Sequence, residues 1–263
     1  MKISKTQFKN FMRCDRFAAL NEIYHEKDKA IVSITDDLEL EDLMSYENEQ
    51  FKKVIIDSMF SEDGSERDEV DPSDEMLAPY YNQLEMIAGN IIKKKFPGNV
   101  IFDLDTFNQK RFSYLKDGFS FYCFLDGYQE DENTIRIFEV KATTSNKFSP
   151  DKLFYRDNGE KKSFFVELPS GIVVPREDIE EVSVEYVGPK LKLFDRFHEC
   201  GKYIYDLAYQ SYVFQNTYKT NKKVEYYLVT LNHEYIHDGK TDENNNPIYG
   251  DNIIKFFNLT SLT

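Results

Sequence analysis

The run VEYYLVTLN, residues 224–232, constrains the fold most. It is apolar on both faces, as a buried central strand is. Such a strand needs a packed layer on each side, and helical patterns elsewhere in the chain can supply both layers. The 263 residues are enough for one large domain or two small ones and for a real core. With 18 Tyr and 22 Phe, that core is strongly aromatic.

Before the central strand come a helix, three strands, a mixed segment and another helix. Ser4 and Gln7 read as a capping box, so a helix starts at Lys5, with Phe8, Phe11 and Met12 on its apolar face. A second helical pattern, LEDLMSYENEQFKKVIIDSMF, occupies 40–60. The acidic stretch SEDGSERDEVDPSDE reads as an exposed loop. LAPYYNQLEMIAGNIIKKKFPGN then predicts a strong helix ending in three lysines and stopped by Pro97 and Gly98. Strands are expected near 100–107, 118–125 and 134–141, with a hairpin turn over 129–133. SGIVV and VSVEYV are candidate short strands in the mixed segment. RFHECGKYIYDLAYQSYVFQNTY predicts a helix, DENNNPIYGDN a loop, and IIKFFNLT a last strand. The expected fold class is α/β, a mixed sheet flanked by helices. Residues 1–76 form an N-terminal helical extension with an acidic loop, and 77–263 form the core with an insertion at 144–196.

The chemistry concentrates in FYCFLDGYQEDENTIRIFEVKATTS. Residues two apart in a strand share a face, so Glu139 and Lys141 point the same way, with Ile135 and Ile137 behind them. Val140 points oppositely, but its carbonyl can reach a metal at the strand edge. Asp126 ends the preceding strand and can lie beside Glu139. Two adjacent carboxylates repel unless a cation separates them. Mg²⁺ or Mn²⁺ is the natural choice, being hard and oxygen-seeking. Such an ion activates water and offsets charge on phosphate, while Lys141 orients that water.

With a helix before it and a Gln-bearing helix after it, this set resembles the PD-(D/E)XK nuclease superfamily, in its RecB-like branch. Asp126 matches the motif's acidic residue, and Glu139-Val140-Lys141 matches its (D/E)XK. AYQSYVF looks like the branch's Gln motif, led by Gln210. ISKTQFKNFMRCDRFAAL and VEYYLVTLNHEYIHDGK are similar to parts of an uncharacterised bacterial RecB-like family of unknown function. The resemblance covers most of the chain except the acidic segment and the insertion. It implies a restriction-endonuclease-like fold and a metal-dependent DNA nuclease that hydrolyses phosphodiesters by metal-activated water in DNA processing or repair. Single strands or ends are the expected DNA substrates. The alternative is a catalytically inactive nuclease-like module that binds nucleic acid or protein.

The chain departs from the branch in three places. The Tyr expected four residues after Gln210 is Phe214, with Tyr212 nearby. The helical His that often adds a metal ligand aligns with Gly89, and Glu85, one turn earlier, is the substitute. Relatives often hold an iron–sulfur cluster on one early and three late cysteines. Here only Cys14 matches, so a cluster within this chain is not supported. Either this member lacks one or the chain is a fragment of a longer protein with further C-terminal domains.

The remaining features narrow the partners. Cys14, Cys123 and Cys200 form no CxxC pair. His25, His198, His233 and His237 form no metal pattern. No phosphate-binding Gly motif is present, so helicase action would come from another polypeptide. A net charge of −14 excludes a whole-surface nucleic-acid binder but leaves room for local contacts. Candidate contacts are Lys110, Arg111, Lys190, Lys192, Lys219, Lys222 and Lys223, with Tyr212 among the aromatics that can stack on bases. MKISKTQFKN lacks an apolar signal core and no apolar run spans a membrane, so a cytoplasmic, membrane-free location is expected.

Overall fold

A computed structural model describes residues 2–14, 16, 72–104 and 108–263. The helix expected over 40–60 and most of the acidic loop lie outside the described residues. The chain opens with β1 (Lys2–Ile3) and α1 (Lys5–Arg13). After α2 (Pro72–Lys95) come β2 (Asn99–Phe102), β3 (Lys110–Lys116), β4 (Phe119–Leu125), β5 (Gly127–Glu130) and β6 (Thr134–Thr144). A small hairpin follows, β7 (Phe154–Asp157) and β8 (Glu160–Ser163), then β9 (Phe165–Glu167) and β10 (Ile172–Pro175). Helices α3 (Val187–Leu193) and α4 (Gly201–Thr217) lead to β11 (Lys223–Leu231) and β12 (Ile254–Asn258).

The expected mixed sheet flanked by helices is present. Seven strands lie in the order β2-β5-β6-β11-β12-β10-β9, so the VEYYLVTLN strand is the central one. It runs parallel to β6, and parallel neighbours require a long crossover, which α4 provides. The alternation along β6 divides the core. Phe138 and Val140 pack with Leu84, Ala88, Ile91 and Ile92 of α2. Ile135 and Ile137 face the other way, towards Ile204, Leu207 and Val213 of α4. Strands β1, β4 and β3 form a separate three-stranded sheet.

The capping box at the start of α1 forms reciprocally. The Ser4 N–H donates to Gln7 Oε1 at 2.9 Å, and the Gln7 N–H donates to Ser4 Oγ at 3.2 Å. Helix α2 begins at Pro72, five residues before Leu77, so the last residues assigned to the acidic loop are helical. Proline suits a first helical position because its missing N–H would be unpaired there. Its end is as expected, and Gly98 carries φ +127°. A Cβ there would meet Glu130 O at 2.7 Å, so this stop requires glycine.

Some expectations are corrected. The strand β3 was not foreseen, because KRFSYLK mixes charge with its alternation. The expected turn over 129–133 begins only at Asp131. Gln129 is fully buried within β5, where its amide donates to Pro97 O at 2.7 Å and its Oε1 accepts from Arg136 at 2.7 Å. Those bonds let a polar side chain occupy a strand. VSVEYV is not a strand. Val184–Tyr186 is a 3-10 turn that feeds α3, and Tyr186 is buried, stacked on Phe164 with ring centroids 4.4 Å apart. Residues 165–175, within the expected insertion, add β9 and β10 to the main sheet, with β10 parallel to β12.

Gly89 has a packing reason rather than a turn to make. A Cβ on it would lie 2.4 Å from Phe102 Cδ1. No histidine fits there without moving that ring. Gly89→Ala is expected to cost about 1–3 kcal/mol through overpacking. Urea melting checks this, and Phe102→Leu in the same chain should recover part of the loss.

Candidate active site

The site forms where the chain leaves one sheet for the other. Strand β4 ends at Leu125 in the small sheet, and β5 starts at Gly127 in the large one. Asp126 is the single residue between them. Gly127 pairs with Phe138, so one further step along the antiparallel register sets Asp126 opposite Glu139. The main chain turns away here, and the Asp126 side chain takes over part of the pairing. Its Oδ2 accepts the Val140 N–H at 2.8 Å.

Glu139 projects from β6 towards α4 and is completely buried. Its register partner on β11 is Leu228, and that of Lys141 is Thr230. Three groups converge on its carboxylate. Lys141 Nζ lies 2.9 Å from Oε1. Lys5, reaching in from α1, pairs with the same oxygen. Gln210, from the middle of α4, donates its amide to Oε2 at 2.5 Å. Gln210 Oε1 is buried and has no hydrogen-bond partner among the described residues.

The two carboxylates are driven apart in proton affinity. Burial and the neighbouring Glu139 push Asp126 up to about 8, against the pull of Lys5 and Lys141. Burial also works against the charged form of Glu139, but Lys141 and Lys5 overcome it and hold the group well below the usual carboxylate range. Burial disfavours the ammonium of Lys5 too, yet Glu139 outweighs it and raises Lys5 above the ordinary lysine value. The unbridged pair is thus one ionised and one proton-holding carboxylate, the usual outcome when two acids share a site. Glu85, on α2, pushes Asp126 in the same upward direction, as the smallest of these influences.

This donor set fits a hard divalent ion. Asp126, Glu139 and the Val140 carbonyl would be its oxygen donors, and Gln210 Oε1 is a buried acceptor suited to a donor such as water. Among the described residues, no three His, Cys, Asp or Glu side chains are arranged as a metal site. An ion held here would therefore rely on two carboxylates and on its own waters, as Mg²⁺ habitually does. The thiols are poor candidates as ligands: burial pushes Cys123 and Cys200 up to about 12. Cys14 is exposed and free. His233 Nδ1 is 2.7 Å from Ser145 Oγ, while His237 Nε2 is 3.1 Å from Ile248 O, so the two rings are engaged separately.

The candidate nucleic-acid residues scatter. Arg111 sits over the rings of Tyr122 and Phe124 on one face of the β3–β4 pair, and Lys110 over Phe112 and over Tyr128 of β5 on the other. Tyr212 is 39% exposed and packs edge-on against Tyr114 and Phe121. Phe214 is buried against Phe112 and faces the core, which accounts for an apolar residue at that position. Lys222 lies at the turn end of the β5–β6 hairpin, away from Asp126, bonded to Glu130 and to Asp131 O. Lys219 bonds Gln215 O, Lys223 pairs with Glu225, and Lys190 pairs with Glu177.

Sequence reasoning missed Lys5, Lys9 and Asp206. Lys9 pairs with the buried Asp206 of α4 at 2.9 Å. The signal was present: Lys5 and Lys9 are four residues apart, so both ammonium groups fall on one helical face. Compared with known proteins, the chain matches no family model, no curated protein and no solved structure.

Proposed function

We propose that the chain is a metal-dependent DNA nuclease of the PD-(D/E)XK superfamily, in its RecB-like branch, with the restriction-endonuclease-like form of the mixed sheet. It hydrolyses phosphodiester bonds during DNA processing or repair. One observation carries the reading: Asp126 and Glu139 stand side by side at the sheet junction, with Lys141 at 2.9 Å from Glu139. When bound, Mg²⁺ or Mn²⁺ would lower the proton affinity of water and offset charge growing on the phosphate. Asp126, Glu139 and the Val140 carbonyl would hold it. Lys141 orients the attacking water and neutralises the phosphate. Gln210 fixes Glu139 through Oε2. Arg111, beside Tyr122, gives a basic contact for a strand, with Lys110 on the opposite face of β3.

The test is cleavage of labelled single- and double-stranded DNA with Mg²⁺ or Mn²⁺. The parent chain should cut, and Lys141→Ala should fall by about 100-fold or more, the scale of losing one charged group aimed at the reacting phosphate. Equal cutting by the two chains would remove Lys141 from the chemistry. One feature favours a non-catalytic nuclease-like module instead: both Glu139 oxygens are already engaged by protein groups. Absence of cleavage together with absence of saturable Mn²⁺ binding would decide for that module.

A further inference from the structure

Lys5 is out of place for an ordinary surface lysine. It lies at the start of the chain, yet its ammonium meets a fully buried glutamate 134 positions later. The segment that delivers it is held at several points. Strand β1 runs parallel to β4, with Ile3 opposite Phe121. The Tyr209 hydroxyl, on α4, donates to the Ile3 carbonyl and accepts the Tyr122 N–H at 3.2 Å. The Phe8 ring packs 5.0 Å from that of Tyr209. Lys9 is locked to Asp206 at 2.9 Å. Each anchor lies on β4 or α4, the elements that carry or adjoin the site. The lysine is placed, not merely tolerated.

Two ammonium groups on one carboxylate oxygen do not have equal freedom. Lys141 stands on β6, inside the sheet, and its side chain is 10% exposed. Lys5 stands on a short helix near the protein surface and is 21% exposed. Lys5 has the easier route to water. Both compete for an oxygen that a divalent ion would need.

We propose that Lys5 is a positioning residue: the resident counter-charge of the carboxylate pair, which holds Glu139 aimed beside Asp126 and yields that oxygen when a divalent cation binds. The inference rests on the nuclease reading of the site. It makes the N-terminal helix part of the site and couples the seating of α1 to cation uptake. The chain supplies its own cation to the carboxylate pair.

The experiment is calorimetric titration with Mn²⁺ of the full chain, its Lys5→Met, Lys5→Arg and Asp126→Ala forms, all first treated with chelator. Lys5→Met should bind Mn²⁺ about tenfold more tightly than the parent, since one unit charge near the ion has gone. Lys5→Arg keeps the charge and should stay within about threefold of the parent. Asp126→Ala should not bind. In the metal-free state, Lys5→Met should lower the urea midpoint, and the same change in a Glu139→Gln chain should not. If Lys5→Met binds Mn²⁺ no better than the parent while Asp126→Ala abolishes binding, the exchange is overturned and the nuclease reading stands. If neither the parent nor Lys5→Met takes up Mn²⁺, both are overturned.

Discussion

Glu139→Ala is expected to lower the stability of the metal-free protein by about 3–5 kcal/mol, the range for breaking a buried ion pair from one side. The substitution leaves Lys5 and Lys141 facing each other with their common carboxylate removed. It also strips the Gln210 amide of its acceptor in a fully buried position. Uncompensated charge is the main cause of the effect. Urea melting in the presence of a chelator measures it. Glu139→Gln should lose less, because the amide oxygen can still accept one ammonium. A loss under about 1 kcal/mol, the scale of an exposed pair, would mean that the three groups do not depend on Glu139. The exposed pair Lys94–Asp251 is the internal control, being more than half exposed on both sides.

The site was only partly legible in the sequence, and the reason lies in which interactions are periodic. Strand alternation set Glu139 and Lys141 on one face, and the α4-side packing of Ile135 and Ile137 agrees. Helical spacing located α4, and with it Gln210. Burial on both faces marked β11 as central. None of these patterns shows a contact between segments far apart in sequence. Lys5 reaches Glu139 through tertiary placement of α1, and only the shared helical face of Lys5 and Lys9 hinted at it. The turn at 129–133 was misread because Gln129 is polar, although its hydrogen bonds are satisfied inside the sheet. VSVEYV was misread because period-two alternation also suits a turn that buries one large side chain, here Tyr186. Asp126 was expected at the end of its strand, just before a hairpin turn. The change of sheet at that residue, which sets it beside Glu139, has no sequence signature other than Gly127. A Cβ there would come within 3.1 Å of both Phe102 and Phe138.

Asp126→Asn should separate the chemistry from the fold. The asparagine oxygen can still accept the Val140 N–H, now taken by Asp126 Oδ2 at 2.8 Å, so the sheet junction is kept. What is lost is the ability to carry negative charge beside Glu139. Cleavage should fall by about 1000-fold, comparable to removing a group aimed directly at developing charge. Stability should hold, and its pH dependence gives the sign. Asp126 takes up its proton at about 8 in the folded chain against an ordinary value of 3.8. Between those values the folded state holds more protons than the unfolded one, so raising the pH favours unfolding. The metal-free parent should therefore lose stability from about pH 4 to about pH 8, with no such loss below that window. Asp126→Asn cannot titrate and should show a flatter profile over the same range. Urea midpoints across pH, with chelator, measure both chains. Parallel profiles would show that Asp126 is not the group held protonated. Retention of more than about a tenth of the parent's cleavage would show that its charge is not used in the reaction.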